Sequence, residues 1–457
     1  MTRTREPVVW LLGAAGVVLF GLLEGALFYS VSPLVGFAVP FVLAVVVAVV
    51  LRPQLGICAG IASVPLDVLH ASGGSFQLTA LKALLLLSAG AVVLRALWGA
   101  DRLRVPAALL TFGLGLVWMA TALAHARDEA IVERMLVTWT AFGIVALYVA
   151  NGTPRQIRQV LWSIVFSAAA TSLYAIATGS AQQAVDSATA VTGRATGSFT
   201  HPNQLAFFLV MALPAGIVLA VRPGRPSLRL LAAGSSVAIF VALVLTLTRG
   251  AFIGVGIALI VMLTWQPFRR AIAAVLLLLG VIAAVNFNAI SHSKEINLVG
   301  ARLATVTNSQ EANQNNERLR IWSTVPQISA DHPIFGIGLG NFHSYSLQYG
   351  LSEGGQAFEH AHDVTLTVLV EQGIPGLILF LLTLFFAVRA ALAVLRRRTS
   401  ALFPFGLAVA AGLAGLFVNG LTDYPPGDAP NMALIMVEIG LLLAVSRRMT
   451  EAEPALP

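Results

Sequence analysis

"HPNQLAFFLVMALPAGIVLAVRPGRPSLRLLAAGSSVAIFVALVLTLTRG" (His201–Gly250) holds two apolar runs, 203–221 and 229–247, hinged on a short loop with Arg222, Arg225 and Arg229. A bilayer core about 30 Å thick takes about 20 helical residues, because only a segment that satisfies its own backbone hydrogen bonds crosses it. Both runs have that length, and basic residues between two spans mark a loop left on the cytoplasmic side. The unit recurs along the chain, with apolar runs at 8–29, 33–51, 54–70, 79–99, 106–124, 131–150, 157–178, 250–266, 269–287, 363–394, 401–421 and 430–446. The expected fold is therefore all-α and polytopic, with about 12–14 transmembrane helices.

Composition agrees. The chain is 57% hydrophobic and 11% charged, with mean hydropathy +0.84, against about 25% charged residues in a soluble domain. With the amino terminus inside, arginines fill every inner loop: 52, 102–104, 155–158, 222–229, 269–270, 396–398 and 447–448. That arrangement accounts for a net charge of +7 without a nucleic-acid partner. The lone cysteine, Cys58, permits no disulfide framework. The first run, "VVWLLGAAGVVLFGLLEGALF" (Val8–Phe28), lacks a small-residue cleavage site and reads as a retained helix. Three parts follow: spans over 1–287, one long extracytoplasmic loop over 288–362, and spans with a short tail over 363–457.

Basic residues on the outer face break this rule (Arg127, Arg134, Arg194, Arg249, Lys294, Arg302, Arg318 and Arg320, with Lys82 near an outer helix end), and four stretches of that face stand out. These are "GRATGSFTHPNQLA" (193–206), "LTRGAFIG" (247–254), "NERLRIWSTVPQISADHPIFGIGLGNF" (316–342) and "EHAHD" (359–363). A guanidinium stays ionised and its fork matches phosphate oxygens. Several arginines facing one cavity suit a lipid-linked diphosphate. Histidine is the usual general base near neutrality, and His360 and His362 cluster with acids at a helix entrance. Arg318 and Arg320 lie on an expected amphipathic helix whose Leu319, Trp322, Val325 and Ile328 would rest on the membrane. "GIGLGN" (336–341) lacks the flanking strand and helix of a nucleotide-binding loop and reads as turns. His-x-His has no third and fourth ligand at suitable spacing, so no metal is expected. Glu24, Asp67, His70, Glu371 and Glu438 lie in or near the bilayer, where ionisable groups are functional suspects and keep a transporter as the alternative.

At these residues the chain resembles the O-antigen ligase and polymerase superfamily of bacterial membrane glycosyltransferases. "GRATGSFTHPNQLAFFL" is similar to its Arg-x-x-Gly…Pro-Asn block, and "LTRGAFIG" to its (Ser/Thr)-Arg-Gly block. "RLRIW…DHPIFGIGLGNF" resembles the Arg-x-x-x-Trp and His-Pro…Gly-x-Gly-x-Gly-x-Phe block. "HAHDVTL…EQGIPGL" resembles His-x-His-Asn-x-x-Leu followed by Glu-x-Gly-x-x-Gly, with Asp363 in place of the usual asparagine. The resemblance implies a GT-C-like inner-membrane enzyme with its active site facing the periplasm and no cofactor or metal. It would move a preassembled glycan from undecaprenyl diphosphate to a sugar hydroxyl, either the lipid A core (ligase) or another repeat unit (polymerase), with membrane lipids around it. Protein hydroxyls are a third acceptor within the superfamily. By position, Arg194, Arg249 and Arg318 would hold the diphosphate, with Arg320 an additional candidate. His362 would be the base, with His360 beside it and Asp363 raising its basicity.

Overall fold

The computed structural model describes residues 33–69, 78–178, 194–274, 312–353 and 356–452. Its helices are α1 (Pro33–Leu51), α2 (Pro53–Ala62), α3 (Ala80–Leu97), α4 (Ala107–Met119), α5 (Glu129–Ala150), α6 (Pro154–Thr178), α7 (Pro202–Val221), α8 (Pro226–Leu245) and α9 (Arg249–Met262). After them come α10 (Ala312–Asp331), α11 (Phe342–Ser346), α12 (Val364–Arg396), α13 (Phe403–Gly420) and α14 (Ala429–Ala452). A two-residue antiparallel pairing joins Ser352–Glu353 to Gln356–Ala357. Among the described residues, nine helical segments are long and apolar enough to span a membrane, or ten if α1 and α2 count as one broken span. The chain is an all-helical polytopic membrane protein. The expected run 8–29 and residues 275–287 of the expected run 269–287 lie outside the described residues, as do Glu24 and His70. The expected span 54–70 is different: α2 is ten residues long and bends 119° from α1. The break falls between Arg52 and Pro53, where the proline ring disfavours helix for the residue before it.

Burial ranks the spans. The apolar windows of α7, α13 and α14 are 78%, 72% and 67% enclosed by protein, whereas those of α8 and α12 are 22% enclosed. Apolarity on every side of α7 fits a helix surrounded by other helices. Helices meet closely where side chains vanish: a Cβ on Gly415 of α13 would strike the Gly254 carbonyl of α9. Small residues of this kind let membrane helices touch backbone to backbone. The crossing sets the start of α9, and so Arg249, beside the end of α13 and the turn that follows it.

At the other end of the site, α10 corrects an expectation. Its apolar face does not lie on the membrane. Ile321, Val325 and Ile328 are buried with Phe342, Tyr345, Phe358 and Val370, Trp322 packs against the edge of that cluster, and Leu319 faces outward. The amphipathic pattern correctly demanded an apolar partner; that partner is the 342–370 segment.

The loop 333–341 is fastened to α12 by main-chain bonds, and the reason can be followed atom by atom. Pro375 has no N–H, so the Glu371 carbonyl loses its helical donor. Gly373 leaves helical geometry at φ 67°, ψ −172°, which turns the Ile374 N–H away from Val370. Both orphaned carbonyls and the diverted N–H find partners in the loop. Gly338 N–H donates to Glu371 O (2.9 Å), Ile337 N–H to Val370 O (3.0 Å), and Ile374 N–H to Pro333 O (2.9 Å). Buried backbone groups must be paired, so kink and loop require each other. Gly336 and Gly373 supply the clearance, since a Cβ at either would overlap the opposite backbone.

Candidate active site

Five segments bring polar side chains to one end of the bundle: 194–203, 246–249, the first described turns of α10, 359–363 and 419–424. The turn before α7 is shaped by a capping box, in which His201 accepts from Asn203 N–H and Gln204 reaches back to the His201 N–H. Such reciprocal bonds satisfy helix-end donors that have no intrahelical partner. Asn203 thereby projects toward Arg194. Arg194 Nε donates to Thr246 O at 2.8 Å, and its Nη2 donates to Asn203 Oδ1 at 2.8 Å and to Thr248 Oγ at 3.0 Å.

Asn203 continues the chain of contacts. Its Nδ2 donates to Asp423 Oδ2 at 2.7 Å. The other oxygen, Oδ1, accepts from the Tyr424 N–H at 2.9 Å and lies 3.5 Å from His362 Nδ1 and 3.7 Å from His360 Nε2. The two imidazoles pack edge to face, 4.4 Å apart. Trp322 on α10 positions this pair by donating from Nε1 to the carbonyl of Ala361, between them, at 3.0 Å. One turn before Trp322 on the same helix face, Arg318 comes within the electrostatic reach of Asp423 and Arg249.

Charge follows from these positions. Burial alone would raise the Asp423 carboxyl, but His362, His360 and Arg318 outweigh it and hold the group well below the usual carboxylate range. Burial, with His362, Arg318 and His201 adding to it, pushes His360 down to about 3 despite Asp423. His360 is neutral at physiological pH. Burial and Arg249 lower Arg318, and Asp423 partly restores it; a guanidinium so placed still carries its charge. Two non-glycine residues, Leu247 (φ 49°) and His362 (φ 51°), adopt the left-handed region. Both lie in the site's own segments, and strain of this kind, costing about 1–3 kcal/mol, collects where function over-determines the backbone.

The structure thus brings together Arg194, Arg249, Arg318, His360 and His362. It separates two other candidates. Arg320 is exposed and donates to the Gly350 carbonyl. Asp363 turns its carboxylate to the Leu366 N–H at 2.8 Å and caps α12; the carboxylate beside the imidazoles is Asp423. Sequence reasoning missed Asp423 and Asn203. A usable signal existed for the first, because "NGLTDYPPG" (419–427) is a short turn on the same side as His360, and Asp423 lies within it.

Asp423 also supplies the third metal-ligand type that sequence spacing did not show. Ligand atoms of His360, His362 and Asp423 lie within 4.8 Å of one another. One hydrogen bond bears on how a cation would be held. His360 Nδ1 accepts the His362 N–H at 3.2 Å, so Nε2 carries the proton and points it at Asp423. A metal would need that lone pair and would sit in the field of Arg318. His360 Nε2 and His362 Nδ1 lie 3.7 and 3.5 Å from Asp423 Oδ1, and His362 Nδ1 has no hydrogen-bond partner among the described residues, so the trio is held together by charge rather than by hydrogen bonds.

Fold and site together define a polytopic membrane protein with an arginine- and imidazole-lined centre at one end of its helices. Residues 234–381, about a third of the chain, match the family described as O-antigen ligase. The segment contains Arg249, Arg318, His360 and His362, whereas Arg194, Asn203 and Asp423 lie outside it. No curated protein matches the chain.

Proposed function

We propose that this protein transfers a preassembled glycan from a polyprenyl diphosphate, of the undecaprenyl type, onto a sugar hydroxyl at the periplasmic face of the inner membrane. The favoured acceptor is the lipid A core. The observation that carries the reading is the convergence of Arg194, Arg249 and Arg318 on the His360–His362–Asp423 group, connected through Asn203. The arginines would hold the diphosphate and neutralise the charge that grows on it as it leaves, a stabilisation realised mainly in the transition state. With Nδ1–H directed at Asp423, His362 would present Nε2 as the base. The acceptor oxygen forms a bond to the anomeric carbon while the carbon–oxygen bond to the diphosphate breaks. The electron pair leaves with the diphosphate and the acceptor proton passes to the imidazole. Displacement in one step inverts the anomeric configuration and needs neither ATP nor metal. Inner-loop arginines support the periplasmic orientation.

The test is transfer by purified protein from a polyprenyl-diphosphate glycan to a core acceptor without nucleotide, followed by the glycan profile of a deletion strain. Free core with glycan retained on its lipid carrier supports ligation. A single repeat unit on the core means polymerisation instead. Full activity in His362→Ala would end the catalytic reading, and lipid-linked glycan crossing proteoliposomes unchanged would favour transport.

A further inference from the structure

Asn203 sits in the second position of α7, yet its side chain bonds three other segments. Oδ1 accepts from Arg194 at 2.8 Å and from the Thr248 hydroxyl at 3.1 Å, and Nδ2 donates to Asp423 at 2.7 Å. Its orientation is fixed by chemistry: a guanidinium only donates and a carboxylate only accepts, so the amide oxygen must face Arg194 and the amide nitrogen Asp423. Among the described residues no ion pair joins Arg194 to Asp423 directly. Without the intervening amide, guanidinium and carboxylate would pair side on, which is the strongest bond either can make here. Such a pair would cancel one positive charge facing the donor and draw the carboxylate off the imidazoles.

We propose that Asn203 is a positioning residue that keeps Arg194 one amide away from Asp423. The guanidinium's charge then serves an anionic donor while the carboxylate's charge serves the two imidazoles. This rests on the polyprenyl-diphosphate reading above. A neutral group with one donor end and one acceptor end is the residue type this spacing needs. Leucine is of similar size but can do neither, and aspartate would face Asp423 with a like charge.

The inference predicts a split in kinetic constants. Asn203→Leu raises KM for the lipid diphosphate and lowers kcat, each by about tenfold or more, because the two ends of the amide serve different steps. In an Asp423→Asn background the same substitution still raises KM but costs no further kcat, since no carboxylate remains to be misplaced. The swap Asn203→Asp with Asp423→Asn keeps every hydrogen bond, so the protein folds with a melting temperature near wild type. It nevertheless binds farnesyl diphosphate in detergent about tenfold more weakly, because Arg194 is now neutralised at its own side. A merely structural role would lower kcat equally in both backgrounds, and that result overturns the inference. So does a swap variant that binds farnesyl diphosphate like wild type, or Asn203→Leu with unchanged constants. Wild-type protein that fails to bind farnesyl diphosphate refutes the proposed function and this inference together. Wild-type binding that Asn203→Leu leaves intact refutes the inference alone.

Discussion

Replacing Asp423 with asparagine removes one negative charge from the site while keeping its shape and its bond from Asn203. Asp423 Oδ1 lies 3.5 Å from His362 Nδ1 and 3.7 Å from His360 Nε2. With charge centres about 4 Å apart and an effective dielectric of about 20, a carboxylate stabilises an imidazolium by about 4 kcal/mol. If roughly half a proton has moved in the transition state, about 2 kcal/mol is lost, or about 30-fold in rate. Asparagine can also turn its donor toward Nδ1 and hold His362 in the wrong tautomer, which takes the expected fall in kcat to about 10²–10³-fold. KM for the donor stays near wild type, because the arginines are untouched. The assay is steady-state glycan transfer in nanodiscs with donor and acceptor varied separately. A kcat within about threefold of wild type would refute the assignment of Asp423 as the partner of the base.

Arg318 and Arg320 separate cleanly. Arg318→Ala lowers kcat/KM by about 100-fold or more, while exposed Arg320→Ala changes it by about threefold at most, as read from transfer rates. Trp322→Phe loses the bond to Ala361 O; thermal unfolding shows about 1 kcal/mol less stability and kcat falls more than KM changes. Gly373→Ala places a Cβ in a backbone region essentially reserved for glycine and against the Ile334 carbonyl. The expected cost is about 3 kcal/mol or more, seen as loss of monodisperse protein on size exclusion. His360 is depressed from 6.5 to about 3 when folded, so the unfolded chain binds its proton more readily. Stability is full above the unfolded value and drains away as pH falls from there toward 3. Melting temperatures of His360→Gln therefore decline less steeply than wild type between about pH 6.5 and 4.

Local patterns carried the membrane class and pointed to the arginines and histidines that the structure brings together, because each is written in a run of about 20 residues or fewer. What they could not carry was distance through space. Asp423 is a single acid in a short turn, sixty-one positions after His362, and nothing local distinguishes it from a solvated loop residue. Adjacency favoured Asp363 instead, yet a helix start needs a capping acceptor, and that demand took its carboxylate. The resemblance ranks Arg318 ahead of Arg320, and the helix register that aims Trp322 at Ala361 agrees with that order. For α10, amphipathicity announced a buried face without saying whether lipid or protein would cover it. Glu371, one of the ionisable groups expected in or near the bilayer, turns its carboxylate to the Gly340 N–H at 2.9 Å.

The clasp between loop 333–341 and α12 is made mostly of main-chain atoms, with one side-chain bond from the Gly340 N–H to the Glu371 carboxylate. Apart from its glycines, Glu371 and Pro375, an outward residue of this collar such as Ile334 contributes its main chain rather than its side chain to the clasp. Side chains on that rim can change while the polar groups beneath stay still. Under the proposed function, a scaffold fastened in this way would let the choice of acceptor drift independently of the chemistry performed on it.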